Sequence, residues 1–134
     1  MRTLLAATAV SLLAVACGDG GSAKPTATRS VSMTPSGGTV AVTIQAFAFR
    51  PNALEIPAGT TVQWSNGDST LHTVRAGIRI YDDKGLVETV RPSGQFDLEL
   101  RRQGSAASFT FPTPGRFTYF CTIHPGMDGS VVVT

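Results

Sequence analysis

Three side chains that bind soft metal ions lie three residues apart near the end of the chain: the Cys121 thiol, the His124 imidazole and the Met127 thioether. Two histidines and one cysteine in a plane, with a more distant methionine, form the kind of copper site that transfers electrons. The motif C-x2-H-x2-M supplies only one of these histidines. The chain has 2 histidines, and the other is His72. The sequence therefore predicts a copper site if His72 reaches the C-terminal loop.

The composition limits the other classes of function. The chain has 134 residues, enough for one folded domain, and its formal net charge of +2 is too small to indicate nucleic-acid binding. The sequence shows no paired carboxylates, no Ser-His-Asp set and no Gly-rich phosphate loop. We therefore expect that the protein is not an enzyme.

The first residues have the features of an export signal. Met1-Arg2 is followed by an apolar stretch that is too short to span a bilayer and ends in small residues before Cys17. We interpret residues 1–16 as a signal peptide that resembles those of bacterial lipoproteins, with Cys17 as the lipidated residue. The alternative is an ordinary secretory signal that leaves Cys17 as a free thiol. Both alternatives predict an exported protein, in the periplasm or at the cell surface.

Residues 17–38 are rich in Gly, Ser, Thr, Pro and Ala and have no apolar period. Such segments bury too little surface to fold, so we interpret them as a flexible tether to a bacterial membrane. Exported cysteines often form disulfides. Cys17 lies at the edge of the signal, however, and we do not expect it to pair with Cys121.

The remaining sequence has the pattern of short strands. Val40, Val42 and Ile44 alternate with smaller or polar residues, and similar runs follow between turn signals. No segment shows a helical period of any length. Residues 39–134 are therefore predicted to form one all-β domain, a Greek-key β-sandwich of about seven or eight strands.

Two further expectations concern the interior and the surface of this domain. The charged and turn-rich residues 82–95 are predicted to be loop with at most one irregular edge. The aromatic residues of the strands are predicted to pack in the core, since a small domain needs their buried area. They are Phe47, Phe49, Trp64, Phe96, Phe109, Phe111 and Phe117.

Several of these segments together resemble the cupredoxins, the blue copper family that includes plastocyanin, pseudoazurin and amicyanin. The similarity extends over residues 40–134 and includes His72-Thr73-Val74 and the run from Pro114-Gly115 to Cys121. The two-residue gaps between Cys121, His124 and Met127 are most similar to the short ligand loop of amicyanin. The resemblance implies one type 1 copper ion, with His72, Cys121, His124 and Met127 as its ligands.

The resemblance also implies roles for the neighbours of these ligands. In the family the second histidine is exposed in an apolar patch, so His124 would pass electrons to a redox partner protein, and Pro125 and Gly126 would lie in that patch. Thr73 occupies a position that is often Asn, and its hydroxyl could bridge to the ligand loop. Ile123 replaces a proline, so its amide could donate to the Cys121 sulfur and favour Cu(I).

These observations favour a monomeric, membrane-tethered electron carrier. An alternative is a copper storage or delivery module that uses the same ligands to bind and release the ion. A third interpretation is a metal-free β-sandwich for adhesion or assembly, in which His124 and Met127 are ordinary surface residues.

Overall fold

The computed structural model describes residues 37–134. The predicted signal peptide, the predicted lipidation site at Cys17 and the part of the predicted tether before residue 37 lie outside the described residues. Within 37–134, no helix is long and apolar enough to cross a membrane. This part of the chain contains nine strands: β1 (Thr39–Ile44), β2 (Phe49–Arg50), β3 (Ala53–Ile56), β4 (Thr60–Asn66), β5 (His72–Tyr81), β6 (Val87–Leu100), β7 (Ala106–Phe111), β8 (Gly115–Phe120) and β9 (Asp128–Val133).

The strands form two sheets. One has the order β2-β1-β4-β7 and the other the order β3-β9-β8-β5-β6. β1 pairs with β4 and β3 with β9 in parallel, whereas the other pairs are antiparallel. Neighbours in each sheet are mostly not consecutive in the chain, which requires crossovers between the sheets. The predicted all-β sandwich is confirmed, with more strands than the seven or eight expected, one of them of only two residues.

The core lies between the two sheets, and Trp64 is at its centre. Trp64 is fully buried, and its ring lies 5.4 Å from that of Tyr119 and 5.7 Å from that of Phe96, measured between centroids. Every second residue of β4 from Thr60 is buried, which is the period of a strand with one face in the core. Other fully buried side chains are Val42, Ile44, Val62, Val74, Leu100, Phe111 and Val131.

Phe47 does not pack in the core, and this prediction was wrong. Its side chain is 55% exposed, whereas Phe49 is 3% exposed. Ala46 and Phe47 have φ angles of 52° and 58°, a left-handed conformation that is uncommon for residues with a side chain. This turn breaks the alternation of a strand, so Phe47 points away from the side that Phe49 buries. Phe109 and Phe117 are only partly buried against the core.

Residues 82–86 connect β5 to β6, and the irregular edge expected within residues 82–95 is the first part of a long edge strand with shifts in its register. β6 begins at Val87 and pairs with β5, with Ile78 opposite Arg91. The first nine residues of β6 are all exposed, so they show none of the alternation that reveals a half-buried strand. β6 is an edge strand, where a proline such as Pro92 is tolerated because one side needs no hydrogen-bond donor.

Candidate metal centre

The four predicted ligands come from two parts of the fold. His72 is the first residue of β5, and Cys121, His124 and Met127 lie around the loop that joins β8 to β9. β5 pairs with β8 so that Arg75 is opposite Phe120. This register places the start of β5 beside the loop that follows β8.

The donor atoms of Cys121, His124 and His72 lie close enough together to bind one metal ion. The Sγ atom of Cys121 lies 3.5 Å from Nδ1 of His124 and 3.9 Å from Nδ1 of His72, and the two Nδ1 atoms are 3.1 Å apart. A point equidistant from the three atoms lies about 2.1 Å from each, close to the metal–nitrogen distance of about 2.0–2.1 Å and the metal–sulfur distance of about 2.3 Å in zinc sites. A thiolate with two imidazoles is a donor set that suits copper. The residues present therefore fit a copper ion.

Backbone hydrogen bonds within the ligand loop fix the position of Met127. Met127 is 1% exposed. The Cys121 amide donates to the Met127 carbonyl at 3.0 Å, and the Met127 amide donates to the His124 carbonyl at 3.4 Å. The loop is thus closed on itself, with the thioether buried on the same loop as the thiol and the imidazole.

The two histidines differ in exposure. His72 and Cys121 are fully buried, whereas His124 is half-buried. Burial lowers the pKa of His124, and the nearby His72 ring lowers it further. Because a lowered pKa disfavours the charged imidazolium, His124 keeps its neutral, metal-binding form at a lower pH than an ordinary histidine.

Asp68 fixes the orientation of the His72 ring. Its Oδ2 atom lies 3.0 Å from Nε2 of His72, and its two oxygens accept from the amides of Ala46 and Phe47 at 2.8 and 3.0 Å. The pKa of Asp68 is lowered chiefly by the Phe47 amide, with help from the Ala46 amide and His72. The ionised carboxylate therefore accepts the Nε2 proton of His72, which leaves Nδ1 free to bind the metal.

The loop that carries Asp68 is organised by Asn66. The Asn66 side chain is buried, and its amide nitrogen donates to the carbonyls of Thr70 and Leu100 at 2.7 and 3.0 Å. Its side-chain oxygen accepts from the Asp68 amide at 2.9 Å. These contacts set the path of the chain from β4 to His72.

Thr73 lies beside the thiolate sulfur. Its amide is 3.5 Å and its hydroxyl 3.8 Å from Sγ of Cys121. The hydroxyl also accepts from the Thr122 amide at 2.7 Å and lies 2.9 Å from the Thr122 hydroxyl. Thr73 therefore joins β5 to the ligand loop, the bridge expected of its side chain.

The expected hydrogen bond from the Ile123 amide to the sulfur is not found among residues 37–134, so this expectation is corrected. The hydrogen bonds that Sγ accepts there from outside the ligand set come from Thr73. The Ile123 side chain is 46% exposed. The sequence shows that Ile123 has an amide proton, but the direction of that proton depends on how the loop closes.

Replacing Thr73 with valine should lower the reduction potential of the copper-bound protein. Valine keeps the shape of threonine but removes a hydroxyl beside the sulfur, so the thiolate becomes more electron-rich and favours Cu(II). One hydrogen bond contributes about 0.5–1.5 kcal/mol, which for a one-electron couple is about 20–65 mV. Voltammetry of the two proteins measures the shift.

Thr110→Val is the matched control for this experiment. Its hydroxyl pairs with that of Thr61 at 2.8 Å on the exposed surface of the other sheet. This variant should keep the potential of the unmodified protein. A Thr73→Val protein with an unchanged or higher potential would contradict the proposed tuning.

Phe47 is a neighbour of the site that the sequence did not reveal. Its ring meets the His124 ring edge-on at 5.0 Å and the His72 ring at 5.7 Å, between centroids. Phe47, Ile123, Pro125 and Gly126 are all exposed around the half-buried His124. We call these four residues the apolar rim.

Known proteins share both the sequence pattern and the fold. Residues 37–134 match a family model described as copper binding proteins, plastocyanin/azurin family. Amicyanin of Paracoccus versutus is 34% identical over 94 residues, which cover 70% of this chain and 64% of that protein. Amicyanin-alpha of Methylorubrum extorquens is 32% identical over 111 residues, covering 80% of this chain and 81% of the relative. The match thus spans less than two thirds of the first relative's length.

The solved structure of a purple cupredoxin from Nitrosopumilus maritimus is similar with a TM-score of 0.51 and 30% identity, covering 71% of this chain and 99% of that one. The donor atoms of His72, Cys121 and His124 converge, and the buried Met127 lies on the same loop. This is the arrangement of a type 1 copper site. The chain belongs to the plastocyanin/azurin family of copper-binding proteins, the cupredoxins.

Proposed function

We propose that this cupredoxin is an exported, membrane-tethered carrier of single electrons, with His72, Cys121, His124 and Met127 as its copper ligands. A bound copper ion supplies the one-electron Cu(I)/Cu(II) couple. The observation that carries the proposal is the closed triangle of Sγ and two Nδ1 atoms, with edges of 3.1, 3.5 and 3.9 Å. Its place in a family of blue copper proteins supports electron transfer as the general activity.

The surroundings of the ligands favour a rigid site. Asp68 orients His72 through Nε2, and Thr73 contacts the sulfur of Cys121. Since His72 and Cys121 are fully buried, their rotamers are restricted by packing. Ligands that are held in place need to move little when the oxidation state changes, and a small rearrangement permits fast electron transfer.

His124 is the proposed point of electron entry and exit. It is half-buried, while the apolar rim around it is exposed, with Phe47 55% and Ile123 46% accessible. An exposed apolar surface around a redox group suits transient docking of a partner protein. We propose that a redox partner docks on the apolar rim and exchanges electrons through the His124 ring.

The visible spectrum of the full chain tests the copper site. Purified protein with one equivalent of Cu(II) should show an intense blue thiolate band that ascorbate bleaches. A colourless or weakly absorbing protein would contradict the site. A blue protein that gives up its copper to a chelator on reduction, instead of being reoxidised, would favour the copper storage or delivery function over electron transfer.

The proposed tether has a separate test in a bacterial host. Residues 1–16 are proposed to direct export, and lipid on Cys17 to hold the domain at the membrane through residues 17–38. The full chain should then fractionate with membranes, and Cys17→Ser should move it to the soluble envelope fraction. Equal amounts of both proteins in the soluble fraction would overturn the lipid anchor without affecting the copper site.

A further inference from the structure

A buried arginine, which is not one of the proposed copper ligands, contacts the backbone of the ligand loop. The Arg79 side chain on β5 is 3% exposed. Its Nη1 atom donates to the His124 carbonyl at 3.1 Å, and its Nη2 atom donates to the Cys121 carbonyl. One planar guanidinium thus binds the backbone of two of the proposed ligands.

Tyr81 extends this contact to the other half of the loop. It lies two residues after Arg79, on the same side of β5. Its hydroxyl accepts from the Gly126 amide at 3.0 Å and from Nη1 of Arg79 at 3.3 Å, and it donates to the Asp128 carboxylate. The hydroxyl therefore uses its proton and both lone pairs. We call Arg79, Tyr81 and Asp128 the loop brace.

A buried guanidinium needs a reason in a domain of this size. Removing a cation from water is costly unless the protein replaces its hydrogen bonds. Here the two carbonyls replace them, Asp128 lies 3.6 Å from Nη1, and the Phe120 ring lies 5.0 Å from the guanidinium carbon. An apolar side chain would fill the space without this cost, but it would leave the carbonyls of Cys121 and His124 without these donors.

We propose that the loop brace holds the ligand loop in its copper-binding shape before copper arrives, and that the Arg79 charge shifts the bound ion towards Cu(I). The second part rests on the proposed copper function, whereas the first does not require copper. Arg79 and Tyr81 are positioning residues, since they contact the backbone of the ligand loop and not the donor atoms of the ligands.

The charge argument follows from the same contacts. The guanidinium neutralises the negative ends of two peptide carbonyls beside the donor triangle and adds positive potential there. Without it, both carbonyls would lose a cationic donor, and the negative charge of Asp128, 3.6 Å from Nη1, would no longer be balanced by this cation. Each of these changes favours the more highly charged ion, Cu(II), so the protein with Arg79 binds Cu(I) relatively more tightly.

Amide hydrogen exchange in the copper-free full chain tests the positioning role. Tyr81→Phe should speed exchange of the Gly126 amide, and Arg79→Met should speed exchange of both Gly126 and Met127, by about tenfold. The amide of Val62 in the other sheet should keep its protection, which separates a local effect from general destabilisation. Arg102→Met is the matched control, because the Arg102 side chain is exposed.

Unchanged exchange of the Gly126 amide in a folded Tyr81→Phe protein would overturn the brace, even if Arg79→Met fails to fold. Equal acceleration of Gly126 and Val62 would also overturn it, since the effect would then be global. These readouts need no copper. A wild-type protein that gives no blue band therefore contradicts the proposed function but leaves the brace testable.

The ratio of Cu(I) to Cu(II) affinity tests the charge. Arg79→Met should lower this ratio about tenfold, which for a one-electron couple is 59 mV. Arg79→Lys keeps the charge but loses the planar fork, so it should keep the ratio within about threefold while the loop amides still exchange faster. An Arg79→Lys ratio as low as that of Arg79→Met would overturn the electrostatic part.

Discussion

Replacing Cys121 with serine should abolish the intense visible absorption of the Cu(II) protein. The thiolate is the soft donor of the triangle, and its short bond to copper gives the blue colour. A serine hydroxyl in the same place stays protonated and is a hard, weak donor, so it cannot replace that bond. The remaining donors, both histidines and Met127, should bind Cu(II) only weakly and without a strong colour. The measurement is the visible spectrum of the full chain with one equivalent of Cu(II).

Cys17→Ser is the matched control, because the chain has 2 cysteines and each variant removes one of them. Cys17→Ser should keep the blue band at full intensity. A blue Cys121→Ser protein, or a Cys17→Ser protein without colour, would show that the assignment of the thiolate is wrong. The pair also tests the expectation that the two cysteines do not form a disulfide.

The ligands could be recognised from the sequence because their chemistry is local. Cys121, His124 and Met127 lie within one loop, and their types and spacing suggest a soft metal without knowledge of the fold. His72 is distant in sequence, but it is the only other histidine, so the choice was restricted by composition. The structure then brings it within 3.9 Å of the sulfur.

The residues that support the ligands could not be recognised in this way. Arg79 lies 42 positions from Cys121 and looks like an ordinary charged residue of a strand, since only the pairing of β5 with β8 brings it under the loop. Asp68 gave a weak signal, a carboxylate four residues before a histidine. Tyr81 lies at the end of β5, and nothing in its sequence neighbourhood indicates a contact with Gly126.

A further difference between the prediction and the structure, the exposure of Phe47, arises from backbone geometry. Phe47 and Phe49 alternate as in a strand, but the left-handed φ angles of Ala46 and Phe47 place the two rings in different environments. Asp68 accepts hydrogen bonds from both amides of this turn and also contacts His72. The left-handed conformation costs about 1–3 kcal/mol per residue. The hydrogen bonds to Asp68, which also orients the ligand His72, stabilise this strained turn. Such a dependence on a distant acceptor is invisible in local sequence.

Trp64 is fully buried and Phe47 is 55% exposed, so replacing each with alanine should have very different effects on stability. Trp64→Ala should lower the free energy of unfolding by about 3–5 kcal/mol, since it leaves a cavity at the centre of the core. A domain of this size has a total stability of about 5–15 kcal/mol, so much of it would be lost. Phe47→Ala should cost less than about 1 kcal/mol, because its ring is mostly in solvent and alanine can adopt the same turn. Urea unfolding of the copper-free full chain measures both values.

Phe47→Ala should instead affect function. Removing the ring deletes the largest apolar contact of the rim beside His124, so electron exchange with a docked partner should slow while the visible spectrum stays that of a blue site. Trp64→Ala, where still folded, should leave the rim intact. Equal losses of stability in the two variants would contradict the burial of Trp64 and the exposure of Phe47. If the rate of electron exchange is unchanged in Phe47→Ala, the partner does not depend on the Phe47 ring. Phe47 would then not be part of the docking surface.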